Sequence, residues 1–278
     1  MLRIITLSEN TAIVGDFLGE WGLSVLIEMD GVMVLFDSGS GRSVVHNADS
    51  LGIDLRRVDK IVLSHGHYDH TGGLREVLRR MRKQVEIIAH PDIWEAKYAR
   101  GRGSQRARYI GIPFQRRELE SLGASFCLTK EPVAISESVL TTGEIPMVTD
   151  FERVDEILYV ERDGELKPDA LADDQALIIK TVQGLVVVLG CAHRGMINTL
   201  CHAQRLTSVS QIHTVIGGSH LIGASEQQLR KTIAVLEELD ICRLSLCHCT
   251  GLQAISVLAN EFGSRFVFNT VGTVIELS

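Results

Sequence analysis

Short apolar runs separated by turns fill the first third of the chain. Residues 23–29 and Val32–Phe36 read as strands, and Asp30-Gly31 between them is a strong two-residue hairpin signal. Asp37-Ser-Gly-Ser-Gly41 breaks the pattern, and residues 43–51 suit a helix. Lys60-Ile-Val-Leu63 is an apolar strand that runs straight into a histidine-rich loop. Leu74, Val77, Leu78 and Met81 recur at helical spacing, so a helix begins after Gly72-Gly73, and Val85–Ala89 predicts another strand.

The middle loses this rhythm. Residues 94–117 carry Arg100, Arg102, Arg106, Arg108, Arg116 and Arg117 with Gly101, Gly103 and Gly111 interspersed. The absence of periodicity predicts an inserted loop or lid. Its arginines are either a solvated surface or a clamp for phosphate or carboxylate, which guanidinium forks bind bidentately; Arg100, Arg106 and Arg108 are the candidates. The last third alternates strands and helices: strands at 176–181, Gly184–Leu189, 214–216 and 243–246, and helices near 197–206 and at Leu252–Phe262. Ser225 and Gln228 form a capping box ahead of an amphipathic helix marked by Leu229, Ile233 and Leu236. Residues 266–268 and Val274–Leu277 predict final strands. No Pro- or Gly-rich linker divides the chain. The expectation is a single α/β domain over residues 1–278, with sheet layers covered by helices.

Composition narrows the class. At 278 residues, 45% hydrophobic and 23% charged, the chain can bury a core without staples. Its net charge of -7 argues against a nucleic-acid partner. The longest apolar run, residues 185–189, is too short to span a bilayer, and the N-terminal run is too short for a signal peptide. The expected location is cytoplasmic, and the expected partner a small-molecule substrate, with homo-oligomers allowed. Six cysteines without a Cys-x-x-Cys spacing give no disulfide framework.

The chemistry concentrates in Ser64-His-Gly-His-Tyr-Asp-His70. No helix face accommodates this spacing, but a tight loop after a strand does. His65 and His67 point one way, and Asp69 and His70 turn towards a neighbouring point. That arrangement suits two adjacent ions of zinc, manganese, iron or cobalt. Further donors must come from elsewhere. His193, His220 and His248 each follow a predicted strand, whereas His46, His90, His202 and His213 lack such settings.

His65-x-His67-x-Asp69-His70 resembles the signature of the metallo-β-lactamase superfamily. Gly143-Glu-Ile-Pro146, Gly190-Cys-Ala-His-Arg-Gly195, Gly217-Gly-Ser-His220 and Cys247-His-Cys-Thr-Gly251 look like its dihydropterin ribofuranosylaminobenzene phosphate synthase subgroup. The resemblance implies a four-layer αβ/βα sandwich with two divalent metal ions, zinc first among them, at one sheet edge. Carried over, one ion takes His65, His67 and His193, and the other Asp69, His70 and His248. Cys191 stands where many members place a bridging aspartate; either its thiolate ligates or water alone bridges. Glu144 is an outside candidate ligand. His220 lines the pocket or ligates directly, and Asp37 either orients the histidine loop from behind or merely forms a turn. Cys247 and Cys249 are expected to point away from His248. The implied reaction is hydrolysis of a small anionic substrate by a metal-bound hydroxide, with Asp69 and His220 as catalytic groups. The subgroup's transferase chemistry and a non-hydrolytic redox role are the alternatives.

Overall fold

The apolar runs become three sheets in the computed structural model, which describes residues 1–101, 103 and 106–277. In chain order come β1 (Leu2–Ser8), β2 (Ser24–Met29), β3 (Val32–Phe36), α1 (Ser43–Ser50), β4 (Lys60–Val62), α2 (Tyr68–Thr71), α3 (Leu74–Met81) and β5 (Val85–Ala89). The middle supplies β6 (Ala96–Ala99), β7 (Arg108–Tyr109), α4 (Arg116–Ser121), β8 (Ala124–Leu128), β9 (Val139–Thr141), β10 (Leu158–Arg162) and β11 (Glu165–Pro168). The last third comprises β12 (Leu177–Thr181), β13 (Gly184–Leu189), α5 (Met196–Thr207), β14 (Ile212–Gly218), α6 (Glu226–Glu238), β15 (Arg243–Cys247), α7 (Leu252–Phe262) and β16 (Val274–Leu277).

One sheet has the order β16-β1-β2-β3-β4-β5-β8 and the other β15-β14-β13-β12-β9. Asp30 and Gly31 both adopt positive φ, 56° and 76°, as the tight turn between β2 and β3 demands. Between the sheets, Ile4, Val25, Phe36 and Val62 share a buried core with Ile179, Val186, Val188 and Ile216. The outer face of the first sheet is covered by α1 and α3 through Val44, Leu74, Val77 and Leu78. The other sheet is covered by α5, α6 and α7 through Leu200, Leu236 and Leu258. The result is the four-layer αβ/βα sandwich. Among the described residues, no helix is long and apolar enough to cross a membrane.

This arrangement brings strand ends together. In the parallel set β13, β14 and β15, Leu189 pairs with Gly217, and Gly218 with Cys247. The segments leaving these strands therefore emerge at one edge, beside the loop that follows β4.

Three features differ from the sequence reading. Residues 94–117 are not simply loop: β6 and β7 join β10 and β11 in a small four-stranded sheet. The alternation is hidden because β6 buries Lys97 where an apolar residue would mark a strand. Arg102 and residues 104–105 of that expected lid lie outside the described residues. Residues 266–268 make an isolated bridge from Phe266 to Leu244 rather than a strand. Finally, the sequence reading assigns no element to residues 2–8, yet they form β1, which pairs with both β2 and β16.

Candidate metal centre

The site grows from the end of β4. Beyond Val62 the chain enters the loop, His67 keeps an extended backbone, and α2 then turns Asp69 and His70 inward. Gly66 permits this path, because a Cβ there would lie 2.5 Å from the Ile93 carbonyl oxygen. Asp37 closes the loop from behind. It is fully buried, and its carboxylate accepts from Ser64 N–H at 2.7 Å, Ser64 Oγ at 2.7 Å and His70 Nδ1 at 2.6 Å. In the neutral ring, a hydrogen held on Nδ1 leaves the lone pair of His70 on Nε2, facing the centre.

Two donor groups form. The ligand atoms of His65, His67 and His193 lie within 4.8 Å of one another, as do those of Asp69, His70 and His248. In the second group, His248 Nε2 is 3.4 Å from Asp69 Oδ2 and 3.3 Å from His70 Nε2. Cys191 stands between the groups, with Sγ 3.1 Å from His70 Nε2 and within range of His65. His220 adjoins Cys191 and His193, and its ring centroid is 4.2 Å from that of His193.

Three of the imidazoles are held in the form that binds a cation. Burial pushes His67 down to about 3, only partly opposed by Asp69. Burial likewise lowers His65 and His193 well below the usual range, aided by neighbouring histidines and Lys97. These imidazoles are neutral, the form that ligates. His70 differs: burial disfavours its charge, but Asp37 and Asp69 outweigh burial and hold it up at about 9, so a cation binds there by displacing the Nε2 proton. Asp69 is pulled below the usual carboxylate range, because the His248 hydrogen bond and His70 outweigh its burial.

Whether the residues fit a metal can be judged from their unmet valences. Among the described residues, the buried imidazole nitrogens without a hydrogen-bond partner are His67 Nε2, both of His193 and both of His220. Buried polar atoms in folded proteins nearly always find partners, and each orphan costs about 1–3 kcal/mol. Their concentration between a carboxylate and a thiol fits a divalent cation with nitrogen, oxygen and sulfur donors.

The remaining candidates are placed variously. Glu144 is not at the centre; it pairs with His90 Nε2 at 3.0 Å and Lys130 at 3.2 Å. Cys247 joins the core between the sheets. Cys249 does not point away as expected. His248 has φ 53° and opens a short 3-10 turn, which swings Cys249 to within ligand range of Cys191 and His248. Arg108 donates to the Tyr68 hydroxyl at 3.2 Å, directly beside the histidine loop. Arg100 lies over the Tyr159 ring of the small sheet, and Arg106 is exposed.

Sequence reasoning missed the supports. Asn10 Oδ1 lies 3.0 Å from His248 Nδ1, and Glu9 accepts the His248 N–H at 2.9 Å. Asp174 is buried and accepts the Arg194 N–H at 2.8 Å, one residue from His193. Burial raises its carboxyl to about 7. The adjacent acids Asp173-Asp174, set directly before an apolar strand, were the available signal.

Fold and site together define a metal-binding enzyme scaffold, and the chain belongs to the metallo-β-lactamase superfamily, whose family model matches residues 22–195. It is 31% identical over 284 residues to 7,8-dihydropterin-6-methyl-4-(β-D-ribofuranosyl)-aminobenzene-5'-phosphate synthase of Methanocaldococcus jannaschii, covering 99% of this chain and 96% of that relative. The crystal structure of Tm1679, a metal-dependent hydrolase of the β-lactamase superfamily, matches with TM-score 0.87 and 29% identity over 100% of both chains. Zn²⁺-bound PqqB from Methylobacterium extorquens shares the fold at TM-score 0.60 and 10% identity, over 99% of this chain and 100% of that one.

Proposed function

We propose that the protein is a dinuclear metal-dependent hydrolase acting on a small anionic substrate. The observation that carries this reading is the pair of adjoining three-residue donor groups, bordered by unpartnered ring nitrogens. His65, His67 and His193 would hold one ion, and Asp69, His70 and His248 the other. Cys191, within ligand range of His65, His70 and His193, would serve either ion. Zinc suits this mixed imidazole, carboxylate and thiol set. Divalent ions so held supply Lewis acidity and lower the pKa of water.

The chain's own groups complete the chemistry. Asp69 stays ionised and accepts a hydrogen bond from the attacking water, which orients it. His220 is held above the usual histidine range: burial opposes its charge, but Cys249 and Asp155 outweigh burial. Charged, it donates a proton to the leaving group or to the developing oxyanion. Arg108 stands over the Tyr68 ring at 5.3 Å and offers a guanidinium to a phosphate or carboxylate. Arg100 and Arg106, on the same segment, extend that positive charge.

A second reading has its own support. A relative that covers nearly the whole chain is named a synthase, so transfer of an aromatic amine to a pterin methyl group is the competing reaction. Product analysis separates the two. The zinc-loaded protein is given phosphate esters and lactones in one series, and a dihydropterin diphosphate with an arylamine riboside phosphate in another. Hydrolysis without coupling supports the hydrolase. A coupled product with no hydrolysis in the first series overturns it. His67→Ala should remove one ion and nearly all activity.

A further inference from the structure

Beneath the histidine loop lies a buried cation, Lys97, on β6 of the small sheet. It is fully buried, and its Nζ donates to Asp169 Oδ2 at 2.9 Å and Asp173 Oδ1 at 2.8 Å. Both carboxylates are themselves buried. A buried ion cluster rarely stabilises a fold more than apolar side chains of the same volume would. Its presence here calls for a reason other than stability.

The second oxygen of Asp173 supplies one. Asp173 Oδ2 accepts the Gly66 N–H at 2.8 Å. Gly66 sits between His65 and His67, so its peptide sets the relative direction of those two rings. The residue must be glycine, because the Ile93 carbonyl and Lys97 Cε leave no room for a Cβ. Glycine is also the residue with the greatest backbone freedom. The site therefore places its most pliable residue between two donors, and an outside anchor must remove that freedom. Asp169 provides an internal contrast. Its remaining oxygen accepts the Leu171 N–H at 2.8 Å, within its own loop rather than in the histidine loop. Lys97 thus binds two carboxylates, of which Asp173 grips the backbone between the histidines.

We propose that Lys97, acting through Asp173, is a positioning residue: it locks the Gly66 peptide and so sets the affinity of the His65, His67 and His193 group for a divalent cation. The proposal rests on the metal-binding reading given above.

The test compares Asp173→Asn, Asp169→Asn and Lys97→Met with the unaltered full-length protein. Zn²⁺ affinity is read by chelator competition, and site geometry by the visible absorption of the Co²⁺-loaded protein. Both asparagine variants remove one negative charge beside Lys97, so both should melt earlier. In Asp173→Asn the Lys97 ammonium takes the single amide oxygen and turns the NH₂ towards the Gly66 N–H, so that bond is lost; one ion should weaken about 10–100-fold and the Co²⁺ spectrum should change. Asp169→Asn should keep that affinity within about threefold, because the Gly66 bond survives. Lys97→Met should follow Asp173→Asn; if it does not fold, the asparagine pair still decides. Equal losses in the two asparagine variants would reduce the cluster to a structural role and overturn the proposal. Unchanged affinity in both would overturn it as well. An unaltered protein that binds neither Zn²⁺ nor Co²⁺ would remove the metal-binding reading itself, an outcome distinct from either.

Discussion

Replacing Asp37 by asparagine should separate the loss of a metal ligand from the loss of the fold. Asparagine keeps one oxygen to accept the Ser64 N–H, now met at 2.7 Å. Its amide NH₂ then faces Ser64 Oγ and His70 Nδ1, both of which now approach Asp37 Oδ2. The serine oxygen adapts by accepting from that amide as well as from His65 Nδ1, 2.8 Å away. His70 cannot adapt without moving its hydrogen to Nε2, the atom that faces Cys191 and His248. That hydrogen occupies the lone pair a cation needs. One charge-assisted bond, worth about 1.5–3 kcal/mol, is exchanged for neutral bonds of about 1 kcal/mol each. The net cost is about 1–2 kcal/mol, a fall in Tm of roughly 2–8 °C for a chain of this size. The ion at the Asp69, His70 and His248 group should weaken about 10–100-fold. Asp37→Ala should lose the same ion but destabilise far more, about 3–5 kcal/mol, since it leaves buried donors without an acceptor. Thermal unfolding by circular dichroism and Zn²⁺ titration against a chelator measure both quantities. Asp37→Asn with both ions at unaltered affinity would refute the tautomer argument.

Three further outcomes follow from the geometry. Gly66→Ala puts a Cβ 2.5 Å from the Ile93 carbonyl oxygen, so the loop must shift; a cost above about 2 kcal/mol and loss of bound metal are expected by calorimetry and metal analysis. Asp174, raised to about 7 by burial, binds its proton more tightly folded than unfolded, so its stabilising contribution is complete below about 4 and disappears as pH climbs through 7. Asp174→Asn should therefore flatten the pH dependence of the metal-free protein, a difference of about 4 kcal/mol between pH 4 and 8 in urea midpoints; an unchanged slope would count against it. Arg108→Ala should shift stability by no more than about 0.5 kcal/mol while raising KM for an anionic ester and not for its neutral analogue.

Much of the architecture could be read directly from the sequence because local signals agreed with one another. Asp30-Gly31 gave its hairpin, the Leu74 to Met81 spacing gave α3, and the capping box at Ser225 gave the start of α6. The His65 to His70 loop was legible because no helix or strand spacing explains it. What escaped notice depends on contacts far apart in sequence. Lys97 carries no local signal beside an arginine-rich stretch, and only the fold reveals Asp169 and Asp173 around it. Cys249 was misplaced because one positive φ at His248 reverses the direction of the next side chain. Glu9 and Asn10 reach His248 across 239 and 238 positions, a pairing that no local pattern encodes.

The central claim is that this chain holds two ions through two adjoining donor groups. The most direct test is metal content per chain, measured by plasma mass spectrometry after purification without added metal and again after zinc is supplied. The account predicts about two ions per chain, falling to about one in His67→Ala and in His248→Ala. A single ion or none in the zinc-supplied protein would contradict it.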